Sequence, residues 1–188
     1  MFKFLSFLFG TRQVSAPQAK NNLNFPDSVT LNDVQLTGNG KGVRKRFGIK
    51  IYEMALYLPA AATTAEQVVA MLGPKQLRFV AMRRLSGSML GAALLNGMRK
   101  NLPSGQEARF LPYTDKIVEV IKSQPEIGEG HTFRIDLLPE SGAHFYVNDE
   151  LKGEPIHAPG FNEALIGIWL GRYPADADLK SNLLAGKI

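Results

Sequence analysis

A chain of 188 residues without a single cysteine excludes a disulfide framework, a thiolate nucleophile and a cysteine-ligated metal. At 45% hydrophobic and 21% charged residues it has the composition of one ordinary globular domain, long enough for a real core. Its net charge of +5 leaves a mildly basic surface suited to anionic small molecules or membrane surfaces, while the sequence lacks the stacked-aromatic and zinc-finger signatures of a nucleic-acid binder, so no nucleic-acid partner is expected.

In chain order, Met1–Gly10 (MFKFLSFLFG) carries one lysine and a short apolar run interrupted by Ser6, too short to span a bilayer. With Val14-Ser15-Ala16 as a small-residue cleavage site it reads as a thin export signal. The alternatives are an interfacial anchor, giving peripheral membrane contact through residues 1–10, or a disordered tail. Thr11–Asn24 is polar and aperiodic, a linker, which leaves residues 25–188 as the domain. Phe25–Asp33 predicts a strand that turns at Asn32-Asp33 and pairs back with Val34–Leu36. Gly38–Gly42 (GNGKG) reads as a turn, since no Ser or Thr follows its lysine and no helix follows as a phosphate loop requires.

Gly42–Pro59 (GVRKRFGIKIYEMALYLP) predicts one long strand rich in β-branched, aromatic and large apolar residues. Its period of two puts Lys50, Tyr52, Met54, Leu56 and Leu58 on one face and Ile49, Ile51, Glu53, Ala55 and Tyr57 on the other. Tyr52 follows the basic run Arg44-Lys45-Arg46. A guanidinium and a phenol beside an apolar layer suit an anionic head group whose tail enters the core; they equally suit a packed strand with a solvated basic turn.

Further on, Thr63 or Thr64 caps a short helix over Ala65–Leu72, and Leu77–Met82 is an apolar strand. Ser86 or Ser88 starts a helix through Asn101, with Leu90, Leu94 and Met98 at four-residue spacing. A second helix runs over Gln106–Ser123 with Pro112 as a kink point; Asp115, Glu119, Glu126 and Glu129 form its wet face or follow it. His131–Leu138 and Ala143–Asn148 predict a hairpin, with a short third strand near Glu150–Gly153. Two helices, Phe161–Leu170 and Ala175–Leu184, close the chain, the first stopped by Gly171; Trp169 and Leu170 are read as packing it onto the sheet. The order of elements predicts an α+β fold, an antiparallel sheet with helices gathered on one face and a ligand cleft between the layers. No nucleophile elbow is present, and His131, His144 and His157 lack close ligand spacing, so neither a metal nor a cofactor is expected.

Three segments resemble the bacterial chalcone-isomerase-like proteins: GVRKRFGIKIYEMALYLP, LRFVAMRRLSGSMLGAALLNGMRKNL (Leu77–Leu102) and FNEALIGIWLGRYPADADLKSNLLAG (Phe161–Gly186). The resemblance covers residues 25–186 and implies an open-faced β-sandwich, a large antiparallel sheet covered on one face by helices. Members of that family often carry an export signal, which favours a periplasmic or membrane-associated setting and leaves a cytoplasmic one open. Carried over from the plant enzymes, the loop arginine matches Arg44, with Arg46 a rival, and the strand threonine falls at Tyr52. The tyrosine falls near Leu90, the asparagine near Gly97 beside Asn96, and the late hydroxyl at Ile168.

Apolar residues at two or more of these positions remove donors that an intramolecular oxa-Michael addition needs. The Arg–Tyr pair instead matches what the non-catalytic fatty-acid-binding members use on a carboxylate. The ligand-binding candidates are therefore Arg44, Tyr52, Met54, Leu90, Leu94, Asn96 and Ile168. Three readings stay open: a non-catalytic protein binding a small apolar or amphipathic, anionic ligand; an isomerase on a flavonoid-like phenolic using Arg44 and Tyr52; and an envelope-associated interaction protein whose cleft side chains fill. Oligomeric state is not legible.

Overall fold

The apolar alternation between Ser28 and Leu58 becomes three successive strands, β1 (Ser28–Leu31), β2 (Val34–Arg46) and β3 (Ile49–Leu58), in the computed structural model. The structure describes residues 25–103, 105–122 and 126–188; the leader and linker expected over residues 1–24 lie outside them. Two expectations are corrected here. The long strand over Gly42–Pro59 is two strands, because Phe47 (φ 51°) and Gly48 (φ 75°) adopt left-handed backbone and reverse the chain between the paired residues Arg46 and Ile49. The glycine-rich stretch Gly38–Gly42 is not a turn but the middle of β2. Its glycines serve close approach: a Cβ on Gly40 would lie 2.1 Å from the Asn182 carbonyl oxygen, and one on Gly42 2.9 Å from Asn182 Cβ.

The chain continues through α1 (Ala65–Ala70), β4 (Lys75–Ala81), β5 (Leu85–Ser86), α2 (Gly87–Asn101), α3 (Glu107–Lys122) and β6 (Glu126–Ile127). It ends with β7 (Thr132–Leu138), β8 (Gly142–Val147), β9 (Glu150–Leu151), α4 (Phe161–Leu170) and α5 (Ala177–Leu183). Local chemistry sets the helix starts. Thr64 and Gln67 form a capping box on α1, Ser86 accepts from Met89 N–H at the start of α2, and Asp176 accepts from Leu179 N–H at the start of α5. Pro112 lies within α3, which runs on past it.

Seven strands pair antiparallel in the order β1-β2-β3-β4-β7-β8-β9, and the α2–α3 pair spans the connection from β4 to β7. At the foot of that pair β5 and β6 form a two-stranded sheet that the sequence pattern does not announce. Glu126, expected on or just after the wet face of the second long helix, belongs to β6, where it pairs with Arg84 at 2.8 Å.

Tyr52, Met54, Leu56 and Leu58 face the main core, which Leu165, Ile168 and Trp169 of α4 and Leu179 and Leu183 of α5 close from the helical side. On the opposite face Ala55 and Tyr57 join Phe25 and Leu36 in a small second cluster. The two faces of β3 are thus divided as its period of two requires.

A buried side chain ties the β2 bulge to the helical layer. Asn39 donates from Nδ2 to the Ala62 and Leu183 carbonyls, each at 2.8 Å, and accepts from Ala62 N–H at 2.7 Å. Asn39→Ala leaves these buried backbone groups without partners and is expected to cost about 2–3 kcal/mol. Thermal unfolding should register this as a drop of roughly 4–12 °C, at about 2–4 °C per kcal/mol for a chain of this size; an unchanged midpoint would show that α5 docks without Asn39.

Candidate functional site

Antiparallel register sets Arg44 of β2 directly opposite Tyr52 of β3. The Arg44 guanidinium carbon lies 5.6 Å from the centre of the Tyr52 ring, within cation–π range. Arg44 Nε is buried and finds no hydrogen-bond partner among the described residues. A buried guanidinium nitrogen without an acceptor is costly, and the native-protein rule that such groups are satisfied makes it notable.

Tyr52 is buried, its ring edge-on to Phe79 at 5.5 Å, and Phe79 packs against Trp169 at 5.2 Å. Trp169 Nε1 donates to the Tyr52 hydroxyl oxygen at 2.8 Å. An indole N–H can only donate, so it occupies an acceptor position of the phenol and leaves the phenol's own proton to be given elsewhere. No acceptor for that proton is found among the described residues. Burial pushes the Tyr52 pKa above its ordinary 10, against the pull of the Arg44 charge and of the hydrogen bonds that Trp169 and the Arg44 guanidinium offer the phenol oxygen. The hydroxyl therefore stays a neutral donor throughout the physiological range.

Behind this pair opens a cleft between sheet and helices. Its atom-free space is about 690 Å³ with the solvent-facing mouth included, of which about 60 Å³ admits the centre of a water-sized sphere. Buried Phe79, Ile135, Phe145, Ile168 and Trp169 form its inner wall; half-buried Arg44, Leu85, Leu90, Leu94 and Ala175 also line it. Among the lining residues only Arg44 is charged.

Asp176, at the N-cap of α5, sits beside the arginine and accepts from Lys45 N–H at 2.9 Å. Burial alone would raise its carboxyl. The backbone donors of Leu179, Lys45 and Asp178 and the charge of Arg44 outweigh that and hold it below the ordinary range. It stays ionised and anchors the strand next to Arg44.

Of the sequence candidates, the structure brings together Arg44, Tyr52, Leu90, Leu94 and Ile168 around this cleft. Met54 does not line it: one pleat further along β3 it is fully buried in the main core. Asn96 does not line it either. Two residues past Leu94 is more than half a turn, about 200° around a helix of 3.6 residues per turn, and Asn96 is exposed. Gly97 cannot host a polar group: a Cβ there would meet Ile168 Cγ2 at 2.8 Å.

Trp169, read from sequence as packing alone, is a cleft residue as well, and its N–H sets the direction of the Tyr52 hydroxyl. Phe79 was missed because an apolar residue on a strand carries no mark that separates core from cleft wall; its register opposite Met54 on β3 is what places it.

The sequence model of the chalcone isomerase-like family matches residues 18–185. The chain belongs to that family. Among solved structures, the fatty-acid binding protein AtFAP1 of Arabidopsis thaliana is similar at a TM-score of 0.60 and 15% identity, covering 86% of this chain and 91% of its own. At that identity the likeness speaks for the fold: a chalcone isomerase-like antiparallel sheet with helices against it. No curated protein matches the sequence.

Proposed function

We propose that this chain binds, without turnover, a small amphipathic molecule with an acidic head, of fatty-acid type. One observation carries the reading: at the polar end of an apolar cleft, Arg44 Nε and the Tyr52 hydroxyl are donors without acceptors among the described residues. A carboxylate supplies acceptors to both. Guanidinium and carboxylate form charge-assisted bonds, and the phenol adds a neutral one. Family membership and the fold shared with a fatty-acid binding protein support the same reading.

The size of the cleft bears on the tail. Only about 60 Å³ of it admits the centre of a water-sized sphere, so the cleft is narrow throughout. A long acyl chain must then displace Leu90 and Leu94 or run out through the mouth. The cleft is not filled by side chains, which counts against a purely protein-interaction role. The isomerase reading retains Arg44 and Tyr52 but has no second polar cluster around the substrate.

Native mass spectrometry of freshly purified protein is expected to show a co-purifying acid, removed by denaturation. A chalcone supplied to the protein should cyclise at no more than a few times its uncatalysed rate. Saturable turnover that Arg44→Ala abolishes would replace the binding reading by the isomerase one.

A further inference from the structure

Three hairpins of the main sheet turn through two residues of left-handed backbone. Two of them use Asn32-Asp33 (φ 51° and 63°) and Asn148-Asp149 (φ 49° and 63°), residue types that tolerate this conformation. The third, between β2 and β3, uses Phe47-Gly48 with φ 51° at Phe47. A bulky non-glycine residue in this region is a conformational outlier that its surroundings must hold in place, and outliers of this kind cluster at functional sites. Phe47 is also 90% exposed, and Ile49 beside it 51% exposed. The tip is thus unfavourable on two independent counts in water: its backbone and its exposed apolar surface.

Cations surround it. Lys45, Arg46 and Lys50 are exposed on the same hairpin. Exposed Arg83 adjoins them, because Met82 N–H donates to Ile51 O at 3.0 Å and brings the end of β4 alongside. Of the acids at this end, Glu126 pairs with Arg84 and Asp176 is tied to backbone donors, while Glu53 is half-buried and Asp178, in the first turn of α5, is exposed. Glu129 is exposed on the loop that follows β6.

We infer that the β2–β3 tip is a membrane-docking element: Phe47 and Ile49 enter the headgroup–acyl boundary of an anionic bilayer while Lys45, Arg46, Lys50 and Arg83 lie on its negative surface. An apolar wedge ringed by lysine and arginine is the arrangement that binds such interfaces. Aliphatic Ile49 next to the ring favours lipid over nucleic acid, whose bases would call for a stacking platform. No helix among the described residues is long and apolar enough to cross a membrane. Arg44 lies three residues from Phe47, about 10 Å at 3.3 Å per residue. If the proposed function is right, docking would bring the cleft to headgroup depth; docking itself does not depend on that reading.

The test uses the full chain with vesicles of mixed phosphatidylglycerol and phosphatidylcholine, and of phosphatidylcholine alone. Wild type is expected to sediment with the anionic vesicles at least tenfold more strongly, with salt weakening the binding. Phe47→Asn, which gives this turn the chemistry of the other two, should keep or raise the melting temperature and lose at least tenfold in vesicle affinity. Phe47→Trp should emit at shorter wavelength on anionic vesicles and be quenched by bromine-labelled acyl chains, against an unchanging contribution from buried Trp169. The inference is overturned if Phe47→Asn binds anionic vesicles like wild type, since contact then runs through another segment such as residues 1–10. It is equally overturned if the added indole of the Phe47→Trp variant keeps the emission of a hydrated ring, or if the protein retains nucleic acid but not vesicles. Loss of vesicle binding by Phe47→Asn with intact fatty-acid affinity in solution would leave the proposed ligand untouched.

Discussion

Trp169→Ala is expected to lower stability by about 3–5 kcal/mol, the usual cost of emptying a core tryptophan site. The side chain is buried in the wall shared by α4 and the sheet, against Phe79, and it holds the Tyr52 hydroxyl at 2.8 Å. For a domain whose total stability is roughly 5–15 kcal/mol this is a large loss, visible as a fall of about 6–20 °C in Tm. Trp169→Phe separates packing from the hydrogen bond. It keeps much of the ring contact, removes the N–H, and frees the Tyr52 oxygen to rotate. Its stability cost should be about 1–2 kcal/mol, while its affinity for an acid should fall several-fold because the phenol is no longer aimed. If Trp169→Ala left Tm unchanged, the indole would belong to the cleft and not to the core.

Arg44→Ala should have the opposite profile. Its removal takes away a cation–π contact with Tyr52 and the charge beside Asp176, but also a buried Nε without a partner among the described residues, so Tm should change by no more than about 4 °C. Binding of a medium-chain fatty acid should weaken tenfold or more, because charge-assisted hydrogen bonds are worth about 1.5–3 kcal/mol against about 1 for a neutral one. Tyr52→Phe should cost only a few-fold. Arg44→Lys should recover part of the loss, since an ammonium cannot make the planar fork. The corresponding alcohol or methyl ester should bind wild type poorly and barely notice Arg44→Ala. Calorimetric titrations decide the matter: equal affinity of wild type and Arg44→Ala for the acid would reduce Arg44 to part of a solvated basic hairpin.

Much of the fold is legible in local chemistry. The apolar run Ile49–Leu58, the capping residues Ser86 and Thr64, and the four-residue spacing of Leu90, Leu94 and Met98 act within a few residues of themselves, so their elements follow from the chain alone. The antiparallel α+β architecture follows from their order, and the residues that carry the family resemblance are those same segments. The break at Phe47-Gly48 was hidden because phenylalanine is a strand-forming residue that no turn rule selects. The role of Gly38, Gly40 and Gly42 was hidden for a different reason: their partners, Ile188, Asn182 and Leu183, lie more than a hundred residues away.

The site divides along the same line. By itself the sequence determined that an arginine and a tyrosine lie near one another on an apolar strand, because neighbours in a chain cannot be far apart in space. It also determined that no thiol chemistry is open to the protein. Only the tertiary structure decided which apolar residues wall a cleft and which fill the core. Met54 and Tyr52 share a face and differ by one pleat, yet only Tyr52 meets the cleft, and Asn96 turns to solvent while Leu94 turns in. It also decided that Trp169, 117 residues from Tyr52, takes the phenol's acceptor position and leaves its proton to give. Hydrogen bonding and packing at that separation depend on strand register and helix placement, quantities set by the whole core at once and by no local stretch of the chain.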